Sequence, residues 1–251
     1  MTVSISILTP TLNSESTLRD CLESVREQSI PCEHIVIDGG SSDDSANMAK
    51  SYSSVAKVIS ELDEGIYDAM NKGIAVASGD VIGILNSDDY FAHRDVLKKI
   101  RNVFIDKLID SCFGDLHYVD PLNTTRVKRV WISGAFNDRK FYWGWMPPHP
   151  TFFVRKAVYA KYGKYNLSLG TSADYEFMLR VLVKHRITSI YLPEVLVKMR
   201  AGGMSNKSLQ RRIAAHRMDR RAWQLNDLKP FPWTLTMKPL SKISQFFNFF
   251  K

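Results

Sequence analysis

The chain has 251 residues, 45% of them apolar and 24% charged, and a formal net charge of +8. That mixture belongs to a globular protein with room for one large domain or two small ones. It excludes disorder, collagen and coiled coil as whole-chain descriptions. The charge is unevenly placed: from Lys198 onward there are 12 Lys and Arg against 2 Asp and Glu, leaving 22 against 24 in residues 1–197. A near-neutral body with a basic tail calls for an anionic partner at the tail, nucleic acid or a membrane surface. Cys21, Cys32 and Cys112 suit neither a disulfide framework nor a zinc site, and fit a reducing cytosol. The N-terminus lacks the basic start of a signal peptide, and no stretch approaches roughly 18 apolar residues, so a cytoplasmic location is expected.

In chain order, Val3 to Leu8 reads as a buried strand running into Thr9-Pro10. Leu18, Cys21, Leu22 and Val25 have helical spacing. His34–Ile37 is a second strand, stopped by Asp38-Gly39-Gly40, and a polar helix from Ser41–Asp44 to about Tyr52 follows. Val58-Ile59 marks a third strand. Ile66, Ala69, Met70, Gly73, Ile74 and Ala77 mark a helix. Val81–Leu85 is a fourth strand, ending at Asn86-Ser87-Asp88-Asp89, and Val96, Ile100 and Val103 give the next helix. This alternation predicts an α/β fold, a parallel sheet covered on both faces, with ligands beyond the carboxyl ends of its strands. After residue 110 the pattern loosens. Strands are expected near Ser111–Val119, Arg126–Ile132, Thr151–Val154 and Ile187–Leu192. A helix is expected from about Ala173 to Lys184, and a basic helix from about Ser208 to Trp223.

Those strand ends collect the residues with chemical potential. Asp88 and Asp89 are hard oxygen donors that suit magnesium or manganese alongside substrate phosphates; alone, they equally suit a turn capping the next helix. Asp38, beside Gly39 and Gly40, could accept hydrogen bonds from a base or ribose, or form a plain strand-to-helix turn. The glycine pattern is neither that of a dinucleotide site nor a P-loop. Lys72, one turn into its helix, could face a phosphate or simply be solvated. Asp174, three residues after Thr171, could be a capping-box carboxylate or a general base at a cleft rim. His149 lies between prolines beside Trp145 and other aromatics, and is either aimed into a cleft or a surface turn residue.

Taken in order, Ile5-Ser6-Ile7-Leu8-Thr9-Pro10-Thr11-Leu12-Asn13, Ile35-Val36-Ile37-Asp38-Gly39-Gly40-Ser41-Ser42-Asp43 and Asn86-Ser87-Asp88-Asp89 resemble the nucleotide-sugar half of family 2 glycosyltransferases. Gly65-Ile66-Tyr67-Asp68-Ala69-Met70-Asn71-Lys72-Gly73-Ile74 is similar to the subgroup that builds exopolysaccharide, O-antigen and colanic acid units. His149-Pro150-Thr151-Phe152-Phe153, Ser172-Ala173-Asp174-Tyr175 and Gly202-Gly203-Met204-Ser205 fall where that subgroup has its acceptor-side and closing-loop motifs. The resemblance spans about residues 3–206. It implies a GT-A (Rossmann-like) domain over 1–206, with a nucleotide-sugar half at 1–105, an acceptor half at 106–206 and a basic aromatic tail at 207–251.

The resemblance also implies roles. Thr9, Pro10, Thr11 and Asp38 would surround the nucleoside, with Asp63 and Lys72 near the base and diphosphate. Asp88 and Asp89 would divide the ribose and a Mn2+ or Mg2+ ion, Trp145 and His149 would meet the acceptor, and Asp174 would be the catalytic base of an inverting displacement. Two positions depart from the usual pattern: Asn86 replaces the first Asp of Asp-x-Asp, and Ala173 replaces a Glu before Asp174. Without Gln-x-x-Arg-Trp or a membrane span, a non-processive enzyme is expected. Its donor would most commonly be a UDP-sugar and its acceptor a lipid-linked oligosaccharide. A sugar-phosphate nucleotidyltransferase would want a Gly- and Lys-rich phosphate loop, but Thr9–Ser16 holds no Gly, Lys or Arg. A non-catalytic nucleic-acid-binding protein would leave the acidic strand ends unexplained. The tail joins arginines (Arg211, Arg212, Arg217, Arg220, Arg221) to aromatics (Trp223, Phe231, Trp233, Phe246, Phe247, Phe249, Phe250), the composition of an interfacial segment on anionic lipid. A peripheral place at the inner face of the cytoplasmic membrane, with no nucleic-acid partner, is the resulting expectation.

Overall fold

The computed structural model of the chain describes residues 2–202, 209–241 and 245, with the backbone path alone for 209–215. Nine strands form one sheet in the order β3-β2-β1-β4-β8-β6-β9-β5, with β7 paired to β6. The parallel core is β1 (Ile5–Thr11), β2 (Glu33–Asp38), β3 (Val55–Ser60) and β4 (Val81–Ile84). The crossovers between them are α1 (Glu15–Arg26), α2 (Ser45–Ser51) and α3 (Ile66–Val76). Because all four strands run the same way, the segments after Thr11, Asp38, Ser60 and Ile84 emerge at one edge.

Side-chain alternation explains the layering. In β2, Ile35 and Ile37 join the main core with Leu8 and Met70, while Val36 joins Leu18, Leu22 and Ala49 beneath α1 and α2. On the α3 face, a Cβ at Gly73 would lie 2.8 Å from Ile37 and 3.0 Å from Leu8. Glycine there lets α3 sit directly on the strands, which fixes where its first turn meets the sheet edge.

The second half adds mixed pairing. It holds β5 (Asp89–Phe91), α4 (Val96–Val103), β6 (Ser111–Val119), β7 (Val127–Trp131), β8 (Phe153–Arg155) and α5 (Lys156–Tyr162). Next come α6 (Ala173–Met178), which widens to a π-helical turn at Leu179–Lys184, and β9 (Ser189–Arg200). The strand expected to end at Leu192 therefore continues to Arg200, held parallel to β6 and antiparallel to β5. Strand β5, helix α5 and the last helix, α8 (Thr234–Leu240), carry too few periodic positions to be read from sequence.

The basic helix is α7 (Leu209–Leu225). It docks on α6: Trp223 is fully buried and its indole N–H donates to the Tyr175 hydroxyl at 3.0 Å. Asn226 donates to buried Glu176 at 3.0 Å, and Glu176 also pairs with Arg180 at 3.0 Å. Trp223, read from sequence as a membrane-facing ring, is therefore a core residue of about 3–5 kcal/mol on truncation to alanine. Arg217, Arg220 and Arg221 remain exposed, while Phe246, Phe247, Phe249 and Phe250 lie outside the described residues. No described helix is long and apolar enough to cross a membrane.

One core group makes stability depend on pH. His34 is fully buried, its Nε2 lies 2.9 Å from the Thr9 hydroxyl, and its Nδ1 has no partner. Burial lowers its pKa from 6.5 to about 4. The folded state therefore binds this proton less readily than the unfolded chain, so stability present above about pH 6.5 is lost as pH falls toward 4. The loss is at most roughly 3 kcal/mol. In urea melts, His34→Gln keeps a partner for Thr9 and should shrink the loss between pH 6.5 and 4; an unchanged slope would contradict this.

Candidate functional site

The strand-end segments meet one another through short hydrogen bonds. Thr11 lies opposite Asp38 in the register, and the Gly39 N–H donates to the Thr11 carbonyl at 2.9 Å. Asp38 is buried, and its carboxylate accepts from the Ser60 hydroxyl at 2.6 Å and from the Ser41 N–H and hydroxyl. Pro10 is buried beside Ile37 in the same ladder. Thr9 turns its hydroxyl inward, to His34 and Cys21, so only its backbone faces the edge chemistry.

Asp63 closes over this turn. A Cβ on Gly39 would come 2.3 Å from Asp63 Oδ2, so glycine is what admits the carboxylate. Asp63 Oδ1 accepts the Gly65 N–H at 2.9 Å. Lys72 reaches back from α3 to the Leu62 carbonyl at 2.8 Å and to Glu61 at 3.0 Å and Asp68 at 3.4 Å, which raises its pKa. Asp38, Asp63 and Lys72 thus form one contiguous assembly.

The Asn86–Asp89 turn is joined to the same edge by the Ser87 and Ser14 hydroxyls at 2.8 Å. Asp89 opens β5 and is fully buried; its Oδ2 accepts from Asn86 at 2.9 Å, while its Oδ1 and the Asn86 Oδ1 have no partner among the described residues. Asp88 is half-buried. Burial, then repulsion from Asp88, pushes the Asp89 carboxyl well above the usual range, and burial also raises Asp88. Arg200, 7% exposed, donates to the Asp88 carbonyl at 2.7 Å, pairs with Asp20 and stands 5.4 Å from the Tyr90 ring centre. Among the described residues, no three His, Cys, Asp or Glu side chains are arranged to hold a metal ion by themselves.

The third assembly surrounds Asp174 at the start of α6. Its Oδ1 accepts the Tyr175 N–H at 2.7 Å. Tyr67, from the first turn of α3, feels the Asp174 carboxylate; burial first, then that negative charge, hold its pKa well up. Tyr67 packs on Tyr165 at 5.5 Å, and the Tyr165 hydroxyl lies 2.8 Å from His149 Nε2. Burial lowers the His149 pKa, opposed by Asp174, so its ring is neutral near pH 7. Asp219 of α7 also acts electrostatically on Tyr67. Its Oδ2 pairs with Lys238 at 2.7 Å, and its Oδ1 has no partner.

Asp174 and His149 are therefore brought together. Trp145 stands apart: its indole N–H donates to the Ser133 carbonyl at 2.9 Å, and Phe141 and Tyr175 separate it from Asp174 in the ring stack. Tyr67, Tyr165, Arg200 and Asp219 were missed in the sequence. Tyr67 lies inside the helix-opening stretch that was read for Lys72 alone. Arg200 ends a strand whose length is hidden by Pro193-Glu194 at its middle.

Parallel strands ending in acidic and hydroxyl-rich loops, with a carboxylate on the mixed half of the sheet, define a GT-A type glycosyltransferase domain. The family model for glycosyl transferase family 2 matches residues 6–163, and the chain belongs to that family. An uncharacterised glycosyltransferase of Mycobacterium tuberculosis is 37% identical over 180 residues, 70% of this chain and 68% of that protein. Among solved structures, S. aureus TarS 1–349 in complex with UDP-GlcNAc superposes with a TM-score of 0.71 at 19% identity, covering 98% of this chain and 73% of that one. Mannosyltransferase PcManGT from Pyrobaculum calidifontis in complex with GDP-Man and Mn2+ gives 0.64 at 16% identity, covering 96% and 74%.

The acid turn sets a stability test. A carboxyl whose folded pKa is raised favours folding most at low pH, and that contribution is lost as pH rises through the folded value. Asp89→Asn removes the charge and offers an N–H to the unpartnered Asn86 oxygen. With chelator present at pH 7, it should raise the melting midpoint by a few degrees, about 2–4 °C per kcal/mol gained. A lowered midpoint would show that the carboxylate is accommodated at no cost.

Proposed function

We propose that this glycosyltransferase moves a sugar from a nucleoside diphosphate sugar, a UDP-sugar first, to a lipid-linked oligosaccharide, once per encounter and with inversion. The observation that carries the reading is a continuous line of contacts. It runs from Asp38 and Gly39 to Asp63, along α3 from Lys72 to Tyr67, and through Tyr165 to His149, with the Asp174 charge acting on both Tyr67 and His149. A donor bound along the strand ends would present its anomeric carbon toward a carboxylate that α3 holds in place. The sugar nucleotides in the TarS and PcManGT complexes support the donor class.

The residues fit a divalent cation, Mn2+ or Mg2+. Asn86 Oδ1 and Asp89 Oδ1 are buried hard oxygens without a partner, beside the half-buried Asp88. Asp88 and Asp89 would hold the ion, with Asn86 as a weaker neighbour and the diphosphate as co-ligand. When bound, it would offset charge on the leaving nucleoside diphosphate.

The chain's own groups do the rest. Pro10, Thr11 and Asp38 border the nucleoside, with Thr9 contributing backbone only. Asp63 and Lys72 face the base and diphosphate, Lys72 adding a cation one helical turn from the loop. His149 borders the acceptor, whereas Trp145, set apart from Asp174 by Phe141 and Tyr175, is assigned no part in it. Asp174 takes the proton of the acceptor hydroxyl as its oxygen bonds to the anomeric carbon and the bond to the diphosphate breaks. Tyr67 orients Asp174, the service an adjacent Glu would give where Ala173 stands. No covalent nucleophile is needed. The basic tail supports a peripheral place at the inner membrane face, where a lipid-linked acceptor is presented, and no nucleic-acid partner is assigned.

Asp174→Asn tests the assignment. Nucleoside diphosphate release from a nucleotide sugar should fall by about 100-fold or more, while calorimetric binding of UDP with Mn2+ stays unchanged. Near-normal turnover would remove Asp174 from the mechanism.

A further inference from the structure

Three large rings stand in water on a face outside the catalytic assemblies. Trp143, Phe231 and Trp233 are 56%, 45% and 43% exposed. They contact one another, Trp143 with Trp233 at 6.0 Å and Phe231 with Trp233 at 5.2 Å. Phe231 and Trp233 come from the connection between α7 and α8; Trp143 ends a 3-10 helix (Asp138–Trp143) in the body of the domain.

This display is rigid. Pro230 and Pro232 flank Phe231 and fix its backbone. The Thr234 hydroxyl donates to the Tyr142 carbonyl at 2.7 Å. Gly144, at φ +78°, lets the backbone at Lys238 approach to where a Cβ would sit only 2.4 Å away. Aromatic side chains locked together in solvent cannot retreat into the core, so their apolar area stays exposed until something covers it.

The surroundings say what covers it. The same 3-10 helix supplies Arg139, which with exposed Arg186 lines an open groove of about 390 Å3; two guanidinium groups face the one carboxylate of its lining, Asp138, beside Phe136, Leu182 and Ile187. The exposed face of α7 adds Arg217, Arg220 and Arg221, in a tail with 12 positive and 2 negative side chains from Lys198 on. Indole and phenyl rings next to unburied guanidinium groups match an interface that is apolar within and anionic at its surface. We propose that Trp143, Phe231 and Trp233 enter the headgroup region of an anionic bilayer, with the Arg139–Arg186 groove taking lipid phosphate. The contact includes a ring from the domain body and excludes Trp223. Six residues after Trp143 the chain reaches His149, so this face and the Asp174 site share one short segment.

The full chain is tested by co-sedimentation with sucrose-loaded vesicles of phosphatidylcholine alone, or with roughly one-third phosphatidylglycerol, at about 0.1 M salt. The parent should bind the anionic vesicles and be released by higher salt. Trp143→Ser with Trp233→Ser should weaken that binding by about 10-fold or more. Arg139→Gln with Arg186→Gln should weaken it by about 30-fold. UDP binding and melting midpoint should hold in both variants, since all four side chains are exposed. Equal binding by ring variant and parent would overturn the proposal, because the terminal residues would then suffice. So would equal binding to neutral and anionic vesicles, or a ring-dependent dimer in sedimentation velocity without vesicle binding.

Discussion

A buried guanidinium holds the acidic turn of the site together. Arg200 enters from the end of β9, grips the Asp88 carbonyl and pairs with Asp20 of α1. Two adjacent carboxyls, one fully buried, would otherwise face a low-dielectric interior with no compensating charge nearby. Because Arg200 binds the carbonyl and not the carboxylates, it fixes the turn and leaves the Asn86 and Asp89 oxygens open. It also ties the mixed half of the sheet to the parallel half, since β9 is the strand that carries β5 at the sheet edge.

The same economy recurs at Asp174. The carboxylate belongs to the second half of the chain, yet the tyrosine whose pKa it raises comes from α3 of the first. Helix α3 is set by Gly73 against Leu8 and Ile37, so the packing of an apolar face decides where a catalytic candidate is held. Unpaired acceptors at Asn86, Asp89 and Asp219 are costly in a folded interior.

The parallel half was legible because buried β-branched runs and helical spacing repeat there without interruption. Strands β1 to β4 and helices α1 to α4 stand where periodicity placed them, within a few residues. The second half was less legible for physical reasons. Strand β9 is interrupted by Pro193-Glu194 and shows no regular alternation, and α6 passes into a π-helical turn. Helix α5 is seven residues long, too short for a periodic signal. The acid turn and the Asp38 turn stand out as candidates because glycines and carboxylates cluster at strand ends, and Asp174 because it opens a helix three residues after Thr171. Tyr67, Tyr165, Asp219 and Arg200 act through long-range contacts that no local pattern encodes. The tail shows the limit most clearly: its composition reads as interfacial, but Trp223 is spent on the Tyr175 hydroxyl.

The central claim is that the Asn86–Asp89 turn is an open oxygen site completed by a cation and a nucleoside diphosphate. Anomalous diffraction from crystals grown with Mn2+ and UDP measures this directly. The account predicts one strong manganese peak within coordination reach of Asp88 or Asp89 and of the diphosphate. A nucleotide bound along the strand ends with no metal peak at that turn, or a peak held by other residues, would contradict it.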